Sequence, residues 1–133
     1  MDNTERILRQ YSTIAVVGLS RDPSKAAHAI PARMQGAGFR VIPVNPSLDN
    51  VLGEKAYPAL SAVPEPIEVV LVFRPSAEAA AIAKDAVAVG AKALWLQQGI
   101  VSDQARQLAE AAGLVYVEDR CIGVERAVLG IVK

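Results

Sequence analysis

The chain has 133 residues, which fits one domain spanning residues 1–133, and 52% of them are hydrophobic, enough for a core without covalent staples. Lys+Arg and Asp+Glu both number 14, and the resulting formal net charge of zero gives no support for nucleic-acid binding, which favours a basic face. One cysteine and one histidine exclude an internal disulfide and a zinc site of the Cys/His type, and the lack of a membrane-length apolar run or a signal-peptide core predicts a cytoplasmic protein.

A helix is predicted near the start of the chain, from Asn3 to Tyr11, because Asp2 and Glu5 have the spacing of a capping box. Five short apolar runs follow, rich in β-branched residues and without polar alternation. They cover residues 13–18, 40–45, 68–73, 92–97 and 114–119. This pattern is typical of strands that are buried on both faces of a sheet.

Helical patterns fill most of the intervals between these runs. They cover residues 26–38, which include Pro31, then 76–90 and 102–113, which begin with serine and end with glycine, and finally 123–130. A proline inside the first of these patterns predicts either a place in the first turn or a kink. The proline-rich interval from Asn45 to Glu68 is different, and a short helix around residues 58–63 is predicted to bridge it.

Strands that alternate with helices imply a parallel sheet with helices on both faces. We therefore predict an α/β fold with a Rossmann-like, doubly wound, five-stranded parallel sheet in three α/β/α layers. With the five strands numbered along the chain, the expected order is 3-2-1-4-5. Ligands of such sheets bind beyond the carboxyl ends of the strands, near the switch point of the topology.

The loop after the first strand is the strongest candidate for a site. The N–H groups at the start of the following helix would face an anion, and Gly18 would let a ligand approach the backbone. Ser20 offers a hydroxyl, and Arg21 and Lys25 add positive charge. An alternative is that Asp22 and Pro23 simply cap the helix, with the proline at its first position, and both interpretations can hold together.

The other four strand ends also carry polar residues or glycine that a core does not need. These are Asn45 and Pro46, then Phe73, Arg74 and Pro75, then Gln97, Gln98 and Gly99, and finally Asp119, Arg120 and Cys121. Parallel strands bring all these ends to one edge, so a single crevice is predicted there. Loops are polar for other reasons as well, but the conjunction of five such ends favours a site.

A nicotinamide dinucleotide is a poor match to this crevice. The stretch "GLSRDP" lacks the second and third glycines of the dinucleotide fingerprint. The second strand ends in Asn45-Pro46, where an NAD-binding protein places a carboxylate, and Arg40 lies at the wrong end of that strand to meet the extra phosphate of NADP. The loop still favours a diphosphate.

The stretches "VVGLSRDPSKAAH", "VIPVNP", "VFRPS", "WLQQGI" and "DRCIGVE" stand in one order over nearly the whole chain. In this combination the chain resembles the small CoA-binding proteins, which are similar to the N-terminal domain of the α-subunit of succinyl-CoA synthetase. The resemblance implies a Rossmann-like fold that binds CoA. It also implies that the ligase's phosphorylated histidine, which belongs to a second domain, has no counterpart here.

The resemblance carries over to individual positions. Gly18, Leu19, Ser20 and Arg21 match the loop that holds the CoA diphosphate, and Arg40 falls close to a lysine that meets a CoA phosphate. The positions that match the nucleotide flank are Phe73, Arg74 and Pro75, and those that match the segment along the pantetheine are Leu96, Gln97 and Gln98. The chain departs from the ligase at Gln98, where the ligase has an acidic residue, and beside Cys121, where Arg120 and Ile122 replace asparagine and proline.

The leading hypothesis is a protein that binds CoA or acyl-CoA and has no catalysis of its own, with no nucleic-acid or membrane partner. Its cofactor-binding residues would be Gly18, Leu19, Ser20, Arg21, Lys25, Arg40, Asn45, Pro46, Phe73, Arg74, Pro75, Leu96, Gln97, Gln98, Gly99 and Cys121. One alternative is an NAD(P)-linked oxidoreductase or a ligase fragment, and another is a thiol-redox protein that uses Cys121. A protein partner or a homo-oligomer stays open.

Overall fold

A computed structural model describes all residues of the chain, Met1–Lys133. Its seven strands are β1 (Thr13–Val17), β2 (Arg40–Val44), β3 (Asn50–Val51), β4 (Glu54–Lys55), β5 (Val69–Val72), β6 (Ala93–Leu96) and β7 (Val115–Val117). Five of them form one sheet in the order β2-β1-β5-β6-β7, and every neighbouring pair is parallel. Strands β3 and β4 form a separate antiparallel hairpin.

Five α-helices cover the two faces of the sheet. They are α1 (Asn3–Gln10), α2 (Ala26–Gly36), α3 (Ser76–Ala88), α4 (Asp103–Ala111) and α5 (Ile122–Leu129). One half of the core packs α1, α2 and α5 against one face, and the other half packs α3, α4 and the 3₁₀ turn Leu60–Ala62 against the opposite face. None of these helices is long and apolar enough to cross a membrane.

Alternate residues of each strand belong to alternate halves of the core. In β5, Val69 and Leu71 lie in the first half, whereas Val70 and Val72 lie in the second. All four side chains are buried, which explains why the strand reads as a continuous apolar run. The predicted α/β fold, a five-stranded parallel sheet between two helical layers, is thus confirmed.

The predicted strand order is wrong in one respect. Numbered along the chain, the five strands of the sheet follow the order 2-1-3-4-5 and not 3-2-1-4-5, so β2 is an edge strand and β5 lies on the other side of β1. The carbonyl of Pro43 in β2 accepts a hydrogen bond from the Tyr57 N–H on the outer edge. The nitrogen of Pro43 faces the same outer side, where its missing N–H interrupts no ladder, and proline in a strand is in general confined to such edges.

The starts of the helices agree with the sequence in two cases and differ in two others. The Asp2 carboxylate accepts the Glu5 N–H at 2.9 Å, and the Ser102 hydroxyl accepts the Ala105 N–H at 3.1 Å, as predicted for helix caps. Pro23, in contrast, does not begin a helix. Residues 22–25 form a turn, and α2 starts at Ala26 with Lys25 as its cap residue. Ser76, predicted as a cap, is the first residue of α3 behind Pro75, and its hydroxyl accepts the Val101 N–H at 3.1 Å instead.

Candidate functional site

Three adjoining cavities form one groove along the carboxyl ends of the strands. The Pro46 cavity, of about 370 Å³, also reaches Pro58 and Ile82. The Lys25 cavity, of about 440 Å³, includes Ser20 and Arg21. The Ile30 cavity, of about 540 Å³, is lined by residues that include Ala26, Ile30, Phe73, Pro75, Ile100 and Cys121.

Arg74 lines all three cavities, and Gly18 and Asn45 line both the Pro46 and the Lys25 cavities. The groove therefore runs across the ends of β1, β2, β5 and β6 at the point where β1 separates β2 from β5. This is the switch point of the topology, where ligands of open parallel sheets bind. The prediction that all five strand ends meet in one crevice agrees with this geometry for the first four. After β7, only Cys121 lines the groove, whereas Asp119 and Arg120 line a separate cavity, and Gly99 lines none of the three cavities.

Gly18 brings the end of β1 into close contact with the end of β5. Its φ is +92°, and a Cβ atom built there would lie 2.8 Å from both the Phe73 carbonyl oxygen and the Arg74 Cδ. A distance this short is not tolerated between a Cβ and a backbone oxygen. The left-handed backbone and the contact both require glycine, so the floor of the groove depends on it.

The loop from Gly18 to Lys25 is held in place by hydrogen bonds. The Ser20 N–H donates to the Ala27 carbonyl at 3.0 Å, and His28 Nδ1 lies 2.7 Å from the Ser20 carbonyl oxygen. The Ser20 Oγ accepts the Asp22 N–H at 3.0 Å, so the hydroxyl hydrogen is free to be donated to a ligand. The side chain of Leu19 is fully buried in the core, so only the backbone of this predicted contact residue can meet a ligand.

The N-terminus of α2 is open. Lys25 makes no side-chain cap, and there is no acidic residue in the first turn. The Ala26 and Ala27 N–H groups have no hydrogen-bond partner in the protein. Unpaired N–H groups together with the positive end of the helix dipole favour an anion at this position.

Three basic side chains border the Lys25 cavity, and they differ in their ion pairs. Arg21 and Lys25 are exposed and form no ion pair. Arg74 lies 2.8 Å from the Glu78 carboxylate, which raises the pKa of Arg74 and lowers the pKa of Glu78. Arg21 and Lys25 therefore carry the free positive charge, whereas that of Arg74 is already partly offset.

At the far end of the groove, the β7–α5 loop is fixed against β6. The Trp95 indole N–H donates to the Arg120 carbonyl at 2.8 Å, and the Gly99 N–H donates to the Asp119 carboxylate at 2.7 Å. Cys121 is half-buried and lies on the wall of the Ile30 cavity beside exposed Gln98.

Of two buried contact residues predicted in this region, Leu96 lies outside the groove and Gln97 lines the Ile30 cavity. Leu96 is fully buried in the core behind the sheet. Gln97 is buried, and its Oε1 accepts the Ile122 N–H at 3.1 Å, so it caps α5. The segment predicted to lie along a pantetheine thus contributes Gln98 as an exposed side chain and Gln97 as a structural one.

Arg40 is not part of the groove. It starts β2, so it lies at the amino end of the strand, roughly 13 Å from Val44 at the carboxyl end. Its guanidinium binds Glu54 and Glu65, which raises the pKa of Arg40 and lowers the pKa of Glu65. The prediction that Arg40 lies near the crevice is wrong, and its role is to fasten the β3–β4 hairpin to the sheet.

Sequence reasoning missed several residues that line the groove. Ser47 and Leu48 follow Pro46, and Ala26, Ile30 and Ile100 supply the apolar wall of the Ile30 cavity. The signal for Ile30 was available, because it lies one helical turn beyond the predicted start of the helix after the first loop. Ile100 follows the predicted Gly99 directly.

Comparisons with known proteins show which family this chain is similar to. A family model described as "CoA binding domain" matches residues 12–127. The chain is 40% identical over 124 residues to the uncharacterized protein YneT of Bacillus subtilis, covering 93% of this chain and 92% of that protein. A hypothetical protein from Pyrococcus horikoshii OT3 has a TM-score of 0.92 at 35% identity, covering 96% of this chain and 89% of that one.

A dinucleotide-forming acetyl-coenzyme A synthetase 1 of Ca. Korarchaeum cryptofilum, solved in complex with phosphate and ADP, also matches. Its TM-score is 0.74 at 28% identity, covering 90% of this chain. The match spans 28% of the synthetase chain. The similarity to this enzyme therefore concerns one part of it.

Proposed function

The chain belongs to the CoA binding domain family, and we propose that it binds CoA or acyl-CoA in the groove without catalysing a reaction of its own. The observation that carries this proposal is the open N-terminus of α2 beside two unpaired cations, Arg21 and Lys25. This anion site lies between two cavities with a larger apolar share of lining, which suits a ligand with phosphates at its centre.

The phosphates of CoA match the donors of the Lys25 cavity. The Ala26 and Ala27 N–H groups and the Ser20 hydroxyl supply uncharged donors for a diphosphate. Arg21 and Lys25 supply charge for the diphosphate or the 3′-phosphate. Arg74 can join them only by weakening its ion pair with Glu78.

The two ends of CoA have a cavity each. The Pro46 cavity is within the size range of small-molecule pockets, and Pro46 and Pro58 offer flat apolar surfaces to an adenine. The Ile30 cavity offers an apolar channel to the pantetheine arm, with Cys121 on its wall. In this arrangement the thiol or thioester end of the ligand approaches Cys121.

A nicotinamide dinucleotide fits the same groove less well. The residue after β2 is Asn45, whose amide donates to the Leu19 carbonyl at 3.0 Å and whose Oδ1 accepts the Ser47 N–H. No carboxylate stands there to bind the ribose hydroxyls of NAD. An NAD(P)-linked function therefore has less support than CoA binding.

Calorimetry with CoA, dephospho-CoA and NAD at one fixed salt concentration tests the proposal. We expect CoA to bind more tightly than dephospho-CoA, and both more tightly than NAD. Removing one charged contact weakens binding by about 10- to 150-fold, with exposed groups such as Arg21 at the low end because of screening. Tighter binding of NAD would contradict the proposal, and equal affinity for CoA and dephospho-CoA would remove the contact to the 3′-phosphate.

Variants assign the contacts within the same experiment. Arg21→Ala and Lys25→Ala are expected to weaken the binding of CoA. Arg33→Ala is the matched control, because Arg33 is an exposed residue of α2 outside the groove. Alkylation of Cys121 with and without CoA then follows the other end of the ligand. Protection of the thiol by CoA but not by ADP is the expected result if the pantetheine arm fills the Ile30 cavity.

A further inference from the structure

Pro31 lies inside α2 and leaves one carbonyl of the helix without its usual partner. In an α-helix the N–H of a residue donates to the carbonyl four positions earlier. Proline has no N–H, so the Ala27 carbonyl cannot be satisfied by residue 31. Pro31 is buried, and the helix continues past it to Gly36.

The freed carbonyl has another partner, which is the loop of the proposed anion site. The Ser20 N–H donates to the Ala27 carbonyl at 3.0 Å. This contact joins the loop after β1 to the first turn of α2, directly beside the unpaired Ala26 and Ala27 N–H groups. The Ala27 carbonyl, which the proline leaves free, therefore anchors the loop through this hydrogen bond.

His28 holds the other side of the same residue. Its Nδ1 lies 2.7 Å from the Ser20 carbonyl oxygen, and since a carbonyl can only accept, Nδ1 must carry the hydrogen. Both backbone polar groups of Ser20 are therefore bound by residues of α2. Neither the N–H nor the carbonyl of Ser20 is left to bind a ligand. These two hydrogen bonds therefore fix the positions of the Ser20 hydroxyl and of Arg21, the next residue.

We infer that Pro31 and His28 are positioning residues, which preorganise the loop from Gly18 to Lys25 by clamping the backbone of Ser20 to α2. The inference rests on the proposed function, because what the clamp prepares is the site for the ligand phosphates. A loop that is already ordered loses less conformational freedom on binding, and this gain appears as affinity.

Pro31→Ala tests the first half of the clamp. The new N–H at residue 31 competes with Ser20 for the Ala27 carbonyl, so the Ser20 amide should exchange faster with solvent in NMR. The affinity for CoA should fall by about two- to tenfold, the effect of one neutral hydrogen bond. The melting temperature should hold or rise, because proline is the least favourable residue in a helix interior. Pro64→Ala, an exposed proline outside the groove, is the matched control.

His28→Ala and His28→Asn test the second half. The alanine variant loses the donor to the Ser20 carbonyl, and a loss of CoA affinity of about two- to tenfold is expected. Asparagine carries an N–H₂ group near the position of Nδ1, so it should restore most of the affinity. A purely structural role of the imidazole in packing would not be rescued by asparagine.

Amide exchange is measured without ligand, so failure of the clamp and failure of the proposed function are distinguishable. An unchanged Ser20 exchange rate in both Pro31→Ala and His28→Ala would overturn the clamp even if CoA binds. Faster exchange with unchanged CoA affinity would overturn its role in positioning. If the wild-type chain fails to bind CoA while Ser20 is released in the variants, the anchor exists but the proposed function and its preorganisation are both wrong.

Discussion

Gly18 is the position at which the backbone of the site has the least freedom to change. Gly18→Ala places a methyl group 2.8 Å from the Phe73 carbonyl and also forces an L-residue into φ +92°. The left-handed conformation alone costs about 1–2 kcal/mol, and the contact adds to it. We expect a loss of more than about 2 kcal/mol in unfolding free energy, measured with urea, together with weaker CoA binding.

Gly53→Ala separates the two effects. Gly53 has a φ of +72°, but a Cβ there would have no atom within 4 Å. This variant therefore shares the conformational cost and lacks the contact. Equal destabilisation of the two variants would show that the approach of β1 to β5 does not depend on the absence of a side chain at residue 18.

The strands and helices could be predicted from the sequence because their signals are local. Continuous apolar runs such as residues 69–73 mark strands between two helical layers, and Ser102 marks a helix start. The order of strands is not a local property, because the connection from β2 can place β5 either beyond β2 or on the other side of β1. Pro43 was nevertheless a usable signal, because a strand proline favours an edge.

The location of the candidate site could be predicted from the sequence, but the orientation of every side chain in it could not. Parallel strands bring their carboxyl ends together, so Gly18, Ser20, Arg21 and Lys25 could be assigned to one crevice. Which way a residue points at a strand end depends on contacts with distant segments. The bond from the Ile122 N–H to Gln97 is such a contact, and no spacing in the sequence reveals it.

Arg40 provides a prediction about β2 and the hairpin beside it. Arg40→Ala should cost about 0.5–1 kcal/mol in unfolding free energy, because its ion pairs with Glu54 and Glu65 are partly exposed and therefore screened. Since the guanidinium lies at the amino end of the strand, the affinity for CoA should not change. Arg33→Ala, which removes a cation that has no ion pair, is the control.

The cost of Arg40→Ala should also depend on pH. Arg40 holds the pKa of the Glu65 carboxyl below its ordinary value in the folded state. The stabilisation is therefore present at neutral pH and is lost as the pH falls through the lowered, folded-state pKa. Urea unfolding at neutral and acidic pH should show the difference between wild type and variant shrinking on acidification. A difference that grows would contradict the role of the Glu65 ion pair, and a loss of CoA affinity would return Arg40 to the binding site.

Because the whole chain has no net charge, electrostatic attraction of an anionic ligand must come from charges near the groove. Positive and negative residues number 14 each, so no net charge attracts an anionic ligand from a distance. Attraction depends on Arg21 and Lys25 beside the N-terminus of α2, neither of which forms an ion pair. Under the proposed function, the single set of unpaired cations between two cavities matches one polyphosphate ligand along the groove.

A single set of unpaired cations also disfavours catalysis of CoA ligation by this groove. Making acetyl-CoA from acetate, ATP and CoA requires places for two phosphate-bearing substrates, ATP and CoA, and for acetate beside them. The groove offers one set of unpaired cations, and His28 already donates its Nδ1 hydrogen to Ser20. We therefore expect the 133-residue chain to form no acetyl-CoA in a chromatographic assay, with an intact acetyl-CoA synthetase as the positive control. Turnover that survives repurification and disappears in both Arg21→Ala and His28→Ala would show that the groove performs chemistry and does not only bind.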